Sequence, residues 1–213
     1  DHEGNINTNR LRKYTGTINL TQQIFPWLKG GANTNLSFSR NNRIPGSNLG
    51  STPMARSLEQ RPFDRPYKPD GTYYVGGTSE LLRNNAVQIL NEEKVQLDNY
   101  RFLGNYNADI QLAAGLNFRT ALGADIAYTH DYVYYNQYHP YGLGAGRLTD
   151  QTRLTSNMLF ENTLNYKHDF GRLNLSMLAG HSFQKFLQHE SLTDGSGFPS
   201  PSFDVNSVAA VIL

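Results

Sequence analysis

Period-two alternation dominates this chain, and it runs in stretches too long for ordinary soluble strands. Successive side chains of a strand point to opposite faces, so alternation marks a strand apolar on one side and polar on the other. From about 12 to 22, Tyr14, Gly16, Ile18 and Leu20 share one face, while Lys13, Thr15, Thr17, Asn19 and Thr21 share the other. Five more such runs lie near 27–40, 96–112, 116–131, 152–167 and 172–188. The clearest is the fourth, where Leu116, Phe118, Leu122, Ala124, Ile126 and Tyr128 oppose Asn117, Arg119, Asp125 and Thr129. Strands of soluble sandwiches typically have about 5–6 residues, whereas a tilted strand crosses a bilayer in about 9–11.

The connections alternate in length. Short turns fall at Gln23–Pro26, Ala113–Gly115 and His168–Gly171; long loops fall at 41–93, 132–151 and 189–213. Consecutive hairpins then put all short turns at one end of the sheet and all long loops at the other, the asymmetry of a membrane barrel. The first long loop carries Pro45, Pro53, Pro62, Pro66 and Pro69, with a helical turn expected near Ser79–Asn91. The reading is all-β: an antiparallel transmembrane β-barrel segment of about six long hairpin-connected strands, an incomplete barrel. A soluble β-sheet binding or structural module remains the alternative, because it too alternates apolar and polar.

Composition supports the barrel. Charged residues are 17% of the chain and aromatics 12%, and the polar faces are Asn, Thr, Ser and Gln rather than the Lys and Glu of a solvated sheet. Mean hydropathy is −0.55, and no run approaches the ~18 apolar residues of a membrane helix. Barrel strands escape that test because their two faces average out. The net charge of +1 gives no bulk attraction for nucleic acid. Trp27, Tyr100, Tyr128, Tyr132 and Tyr166 lie near strand ends, where interfacial aromatic girdles sit.

The run Arg12-Lys-Tyr-Thr-Gly-Thr-Ile-Asn-Leu20 followed by Trp27-Leu-Lys-Gly-Gly-Ala-Asn33 resembles an early barrel hairpin of SusC/RagA-like TonB-dependent outer-membrane transporters. Lys68-Pro-Asp-Gly-Thr-Tyr73 is similar to that family's first long loop. Tyr100-Arg-Phe-Leu-Gly-Asn105, Gly115-Leu-Asn-Phe-Arg119 and Leu178-Ala-Gly-His-Ser-Phe-Gln184 resemble strands that follow. One departure is Asn84-Asn-Ala86, where the family often has Asn-Pro. The resemblance implies an importer of about twenty-two strands with a plug. It implies the bacterial outer membrane, outer-membrane lipid around the wall, a SusD-like surface lipoprotein as partner, TonB acting through the plug region, and oligosaccharide or oligopeptide substrates. Six strands cannot close such a barrel, so a piece of the barrel domain is expected across 1–213.

No chemistry of an enzyme is legible. There is no Cys, no Gly-x-Ser-x-Gly, and no His-x-x-x-His. Gly142-Leu-Gly-Ala-Gly146 lacks the third glycine of a dinucleotide loop, because position 147 is Arg147. No metal, cofactor or catalytic residue is expected, and Glu92 and Glu93 read as solvated. Tyr134, Tyr135, Tyr138 and Tyr141 are the substrate-contact candidates, since Tyr offers an apolar ring face and a hydroxyl. Asn117, Arg119, Asp125, Asn157 and Glu161 are the candidates for lining a lumen.

Overall fold

In a computed structural model, each alternating stretch is a strand of one antiparallel sheet. The structure describes residues 2–3, 8–44, 53–60, 63, 65–74, 85–200 and 202. In chain order the strands are β1 His2–Glu3, β2 Arg10–Phe25, β3 Leu28–Asn42, β4 Glu93–Ala113, β5 Leu116–Tyr135, β6 Arg147–Asp169 and β7 Asn174–Ser196. Spatial order equals chain order, so every connection is a hairpin. The six long strands have 16, 15, 21, 20, 23 and 23 residues. Among the described residues β7 has no neighbour on its far side and the sheet does not close.

Register puts the alternating apolar residues side by side. Tyr14, Phe38, Tyr100, Tyr128 and Leu154 form one cross-strand row, and Leu20, Ala32, Tyr106, Leu122 and Phe160 another. In the first row the rings contact each other across strands: Tyr14–Phe38 at 6.3 Å, Phe38–Tyr100 at 4.7 Å and Tyr100–Tyr128 at 6.3 Å between centroids. A second aromatic group sits at the short turns, where Phe25 stacks on Trp27 at 5.5 Å and His168 lies 6.1 Å from Tyr166 and 4.3 Å from Phe170. Tyr14 and Phe25 are separated by about 36 Å of strand, or roughly 25 Å of height at a barrel tilt, the span of a barrel's lipid-facing band.

This band is uncovered. Ile18 is 67% exposed, Leu20 58% and Phe183 59%. The chain's accessible surface is 14344 Å², against about 10,000 Å² for a compact monomer of this mass. Buried side chains gather instead at the long-loop end. Tyr134, Leu148 and Phe198 form an apolar cluster on the same face as the band, and Tyr132 packs against it.

The strands run further than alternation suggested at that end. Residues 132–135 and 147–151 were expected in a loop; instead Tyr132 pairs with Asp150, Val133 with Thr149, Tyr134 with Leu148 and Tyr135 with Arg147. Only 136–146 remain as connection. β7 likewise continues through 189–196, and β4 starts at Glu93. Tyr, Val and Thr favour strands, but alternation lapses at Tyr132-Val-Tyr-Tyr135 and the surrounding Tyr and Gly richness resembles loop composition. The 41–93 connection contains α1 (Pro53–Glu59), an isolated bridge between Tyr67 and Tyr73, and α2 (Ala86–Glu92). The expected helical turn is α2 at its second half; its first half, 79–84, lies outside the described residues, as do 203–213 of the last loop.

Gly115 closes the β4–β5 turn at φ +78°, and an added Cβ would sit 2.1 Å from the Lys167 carbonyl oxygen. That oxygen lies close because the Lys167 N–H donates to the Gly115 carbonyl at 2.8 Å, which joins the turn to β6.

Candidate functional site

The face opposite the apolar band is mostly polar, with Leu103, Leu159 and Phe186 interspersed. Asn19, Asn33 and Asn105 lie in one row, and Lys13, Ser39, Asn99, Thr129 and Arg153 in another. Five of its arginines are paired in place: Arg101–Asp125 at 2.6 Å, Arg119–Asp109 at 3.0 Å, Arg153–Glu190 at 3.1 Å, Arg147–Asp194 at 3.0 Å, and Arg43 on Asp131. Amides join strands as well, with Gln184 Nε2 donating to Asn157 Oδ1 at 2.8 Å and Asn35 Nδ2 to Thr17 Oγ1 at 2.8 Å. Such half-exposed pairs add at most about 1 kcal/mol each to stability. Their chemical effect is a hydrophilic surface on which much of the charge is locally neutralised. Asn117, Arg119, Asp125, Asn157 and Glu161 all fall on this face: Asn117 opposite Gln111, Arg119 opposite Asp109, Asp125 opposite Asn157, and Glu161 opposite Ser182.

At the long-loop end this face is roofed by the β5–β6 loop. His139 Nδ1 accepts the Tyr141 N–H at 3.0 Å and so caps a 3-10 turn, Pro140–Gly142. Gly142 is required there, because a Cβ would lie 2.0 Å from the Asn136 carbonyl oxygen. Leu143 is left-handed at φ 52°, followed by Gly144 and Gly146 at positive φ. The loop is tied down by Asn136 N–H to the Glu92 carbonyl at 2.8 Å and by Gln88 Nε2 to the Tyr138 carbonyl at 2.7 Å. Asn85 anchors α2 in turn. Its Oδ1 accepts from Val87 N at 2.9 Å as an N-cap, and its Nδ2 donates to the carbonyls of Pro66 at 2.6 Å and Tyr74 at 3.1 Å. The Asn-Asn-Ala departure at 84–86 thus supplies the cap of this helix.

Under the roof lie two titratable groups sealed from water. His139 Nε2 is 3.7 Å from Glu93 Oε2, with side chains 0% and 5% exposed. Burial pushes the Glu93 carboxyl up to about 7 and the His139 imidazole down to about 4. At 3.7 Å the contact is too long for a hydrogen bond, and the depressed imidazole is neutral near pH 7, so this is no ion pair. Tyr135 stacks on His139 at 4.6 Å and meets Tyr141 at 5.7 Å, and burial raises its hydroxyl.

Three of the four candidate tyrosines come together here. Tyr135 is inside the roof, while Tyr138 and Tyr141 stand on its rim, 57% and 43% exposed. Tyr134 does not join them. Neighbouring strand residues point to opposite faces, and Tyr134 is 3% exposed beneath an edge-on Phe198 at 5.2 Å, so it packs the outer cluster. Glu93 was expected in solvent and is buried; Glu92 accepts the Tyr73 hydroxyl at 3.0 Å. His139, Gln88, Asn85, Tyr67 and Tyr73 complete the constellation. Only Asn85, a capping residue before an apolar run, carries a local signal that sequence reading could have used.

No protein-family model matches the chain. It is 29% identical over 218 aligned residues to "TonB-dependent receptor P3" of Formosa agariphila, a match covering 96% of this chain and 20% of that protein. The chain therefore spans about a fifth of the length of that curated relative. Its fold matches the RagAB peptide transporter with a TM-score of 0.70, at 19% identity over 92% of this chain and 23% of that one. It also matches the 'closed-closed' state of the RagAB peptide importer, with a TM-score of 0.71, 20% identity, and coverage of 96% and 24%. The resemblance to SusC/RagA-like TonB-dependent transporters holds in sequence and in fold. By name these relatives are receptors and transporters.

Proposed function

We propose that this chain is a wall-and-mouth segment of a TonB-dependent importer in the bacterial outer membrane. The observation that carries the reading is the division of one sheet into an uncovered apolar band between two aromatic groups and a mostly polar face with several ion pairs. The band meets lipid. Asn117, Arg119, Asp125, Asn157 and Glu161 line the hydrophilic path, and Tyr135, Tyr138 and Tyr141 offer ring faces and hydroxyls to an oligosaccharide or oligopeptide at the mouth. The rest of the barrel, the plug through which TonB acts, and a SusD-like lipoprotein complete the machine. No catalytic role belongs to this reading.

Cysteine scanning tests it, helped by the absence of Cys from this stretch. In the intact receptor in membranes, Cys at positions 118, 122 and 126 should react with a lipid-soluble maleimide, and Cys at 117, 125 and 157 with a charged one. Equal reaction of both sets with the charged reagent would sink the barrel reading.

A further inference from the structure

We propose that the β5–β6 roof encloses a binding site for one water molecule, which joins His139 to Glu93 and ties the loop to the start of β4.

The state of the imidazole follows from a single bond. His139 Nδ1 accepts the Tyr141 N–H at 3.0 Å, so Nδ1 carries a lone pair. The proton of the ring then sits on Nε2, which becomes a donor. Nε2 is buried and has no hydrogen-bond partner among the described residues. The side chain is 0% exposed, so bulk solvent supplies none either. Glu93 faces it in the complementary condition. Its Oε2 lies 3.7 Å from Nε2, and its Oε1 is buried without a partner among the described residues. Gln88 contributes another buried acceptor of this kind, Oε1, while its Nε2 is fixed at 2.7 Å on the carbonyl of Tyr138, next to His139 in the chain.

Buried polar groups are satisfied by protein or by ordered water, and leaving one unmade costs its full desolvation. A separation of 3.7 Å is longer than one hydrogen bond and shorter than two, the spacing that a single bridging molecule closes. That molecule must accept from Nε2–H and also bond a carboxyl oxygen. Water does both, whether Glu93 is a carboxylate that accepts or a carboxylic acid that donates. A metal ion does not fit, because Nε2 presents a proton and not a lone pair. Glu93 also lines a hollow of about 480 Å³, so there is space on one side of the residue. The bridge runs from the Tyr141 N–H through the imidazole to β4. It lies beside two direct ties of the same loop, Asn136 N–H to the Glu92 carbonyl and Gln88 to Tyr138.

A high-resolution crystal structure of the intact receptor tests the site directly. A density peak about 2.7–3.2 Å from both Nε2 and a Glu93 oxygen is expected. Closure of Nε2 onto Glu93 as a direct hydrogen bond, with no peak between them, would overturn the proposal. A peak about 2.0–2.1 Å from Nε2 would overturn it in favour of a metal. Two variants, both neutral at every pH, carry the test further. Glu93→Gln keeps an oxygen acceptor and should keep the peak. Glu93→Met has nearly the same length without one and should lose it. In solution, amides 136–146 should exchange about tenfold faster in Glu93→Met than in Glu93→Gln, the scale of one stranded buried donor. Equal exchange in the two variants, or a peak retained in Glu93→Met, would also overturn the site. Folding is read separately by the mobility of unheated samples on denaturing gels. If Glu93→Met does not fold, the peak in the native receptor and in Glu93→Gln decides.

Discussion

His139 presents Nε2 to Glu93 Oε2 at 3.7 Å in a site closed to water, and the two groups respond to pH in opposite senses. Glu93 ionises only near pH 7 when buried, against 4.5 ordinarily, so the opened loop releases this proton first and the closed loop weakens as pH rises from about 4.5 to about 7. His139 is depressed from 6.5 to about 4, so the opened loop binds this proton first and the closed loop weakens as pH falls from 6.5 towards 4. Tyr135 and Tyr141 are the other titratable groups against the pair, and Arg147 acts on it through Tyr135. The two trends oppose each other between about 4.5 and 6.5, so the native loop should be nearly indifferent to pH there. Glu93→Gln should leave a loop that loosens only in acid. His139→Gln should leave one that loosens only towards neutrality. Hydrogen exchange of amides 136–146, corrected for intrinsic rates, reads both; identical profiles in the two variants would refute the coupling.

Asn85→Ala removes a helix cap and two carbonyl partners in one step. A lost cap costs about 1 kcal/mol, and the stranded carbonyls of Pro66 and Tyr74 raise the total to roughly 2–4 kcal/mol. The loss should be local, with amide exchange faster over 65–74 and 86–92 and unchanged in β5 and β6. A uniform change across the sheet would mean the loop and barrel open together.

The sheet was legible because its alternation persists over about two to three times the length of an ordinary strand, and Asn117, Arg119 and Asp125 could be assigned to one face by counting alone. Counting also separates Tyr134 from Tyr135, yet the two were grouped because composition, not parity, marked 132–151 as a loop. His139 and Glu93 were illegible for another reason. They are 46 residues apart in sequence, and neither has a neighbour that signals burial; only the fold of the β5–β6 loop over the start of β4 encloses them. Gln88 enters the same site through a side-chain bond to a backbone carbonyl, which leaves no trace in sequence pattern.

The turn glycines are not equivalent. Gly115 and Gly171 have similar backbone angles, φ +78° and +85°, but a Cβ meets the Lys167 carbonyl only at Gly115. Gly171→Ala should therefore cost about 1 kcal/mol of backbone strain, and Gly115→Ala that strain plus displacement of β6. The expected result is a clear fall in folded-barrel yield for Gly115→Ala alone. Equal yields would mean the β4–β5 turn relaxes away from Lys167 without loss.

The mouth tyrosines should divide by burial. Tyr138 is 57% exposed, so truncating it removes little packing, whereas Tyr141 is 43% exposed and also touches Tyr135 and His139, so its truncation is compared with Tyr141→Phe, which keeps those contacts. Tyr135 supports His139 by stacking, so Tyr135→Ala should loosen the loop before it affects binding directly. If ring faces hold the substrate, Tyr141→Phe should retain capture and Tyr141→Ala should lose roughly fivefold to tenfold, the scale of one aromatic contact. If the hydroxyl does, both changes weaken capture alike. Uptake by cells carrying the intact receptor, compared with the amount of receptor in the outer membrane, separates these cases. Unchanged uptake in a Tyr138→Ala, Tyr141→Ala double variant would remove the rim from the proposed substrate path.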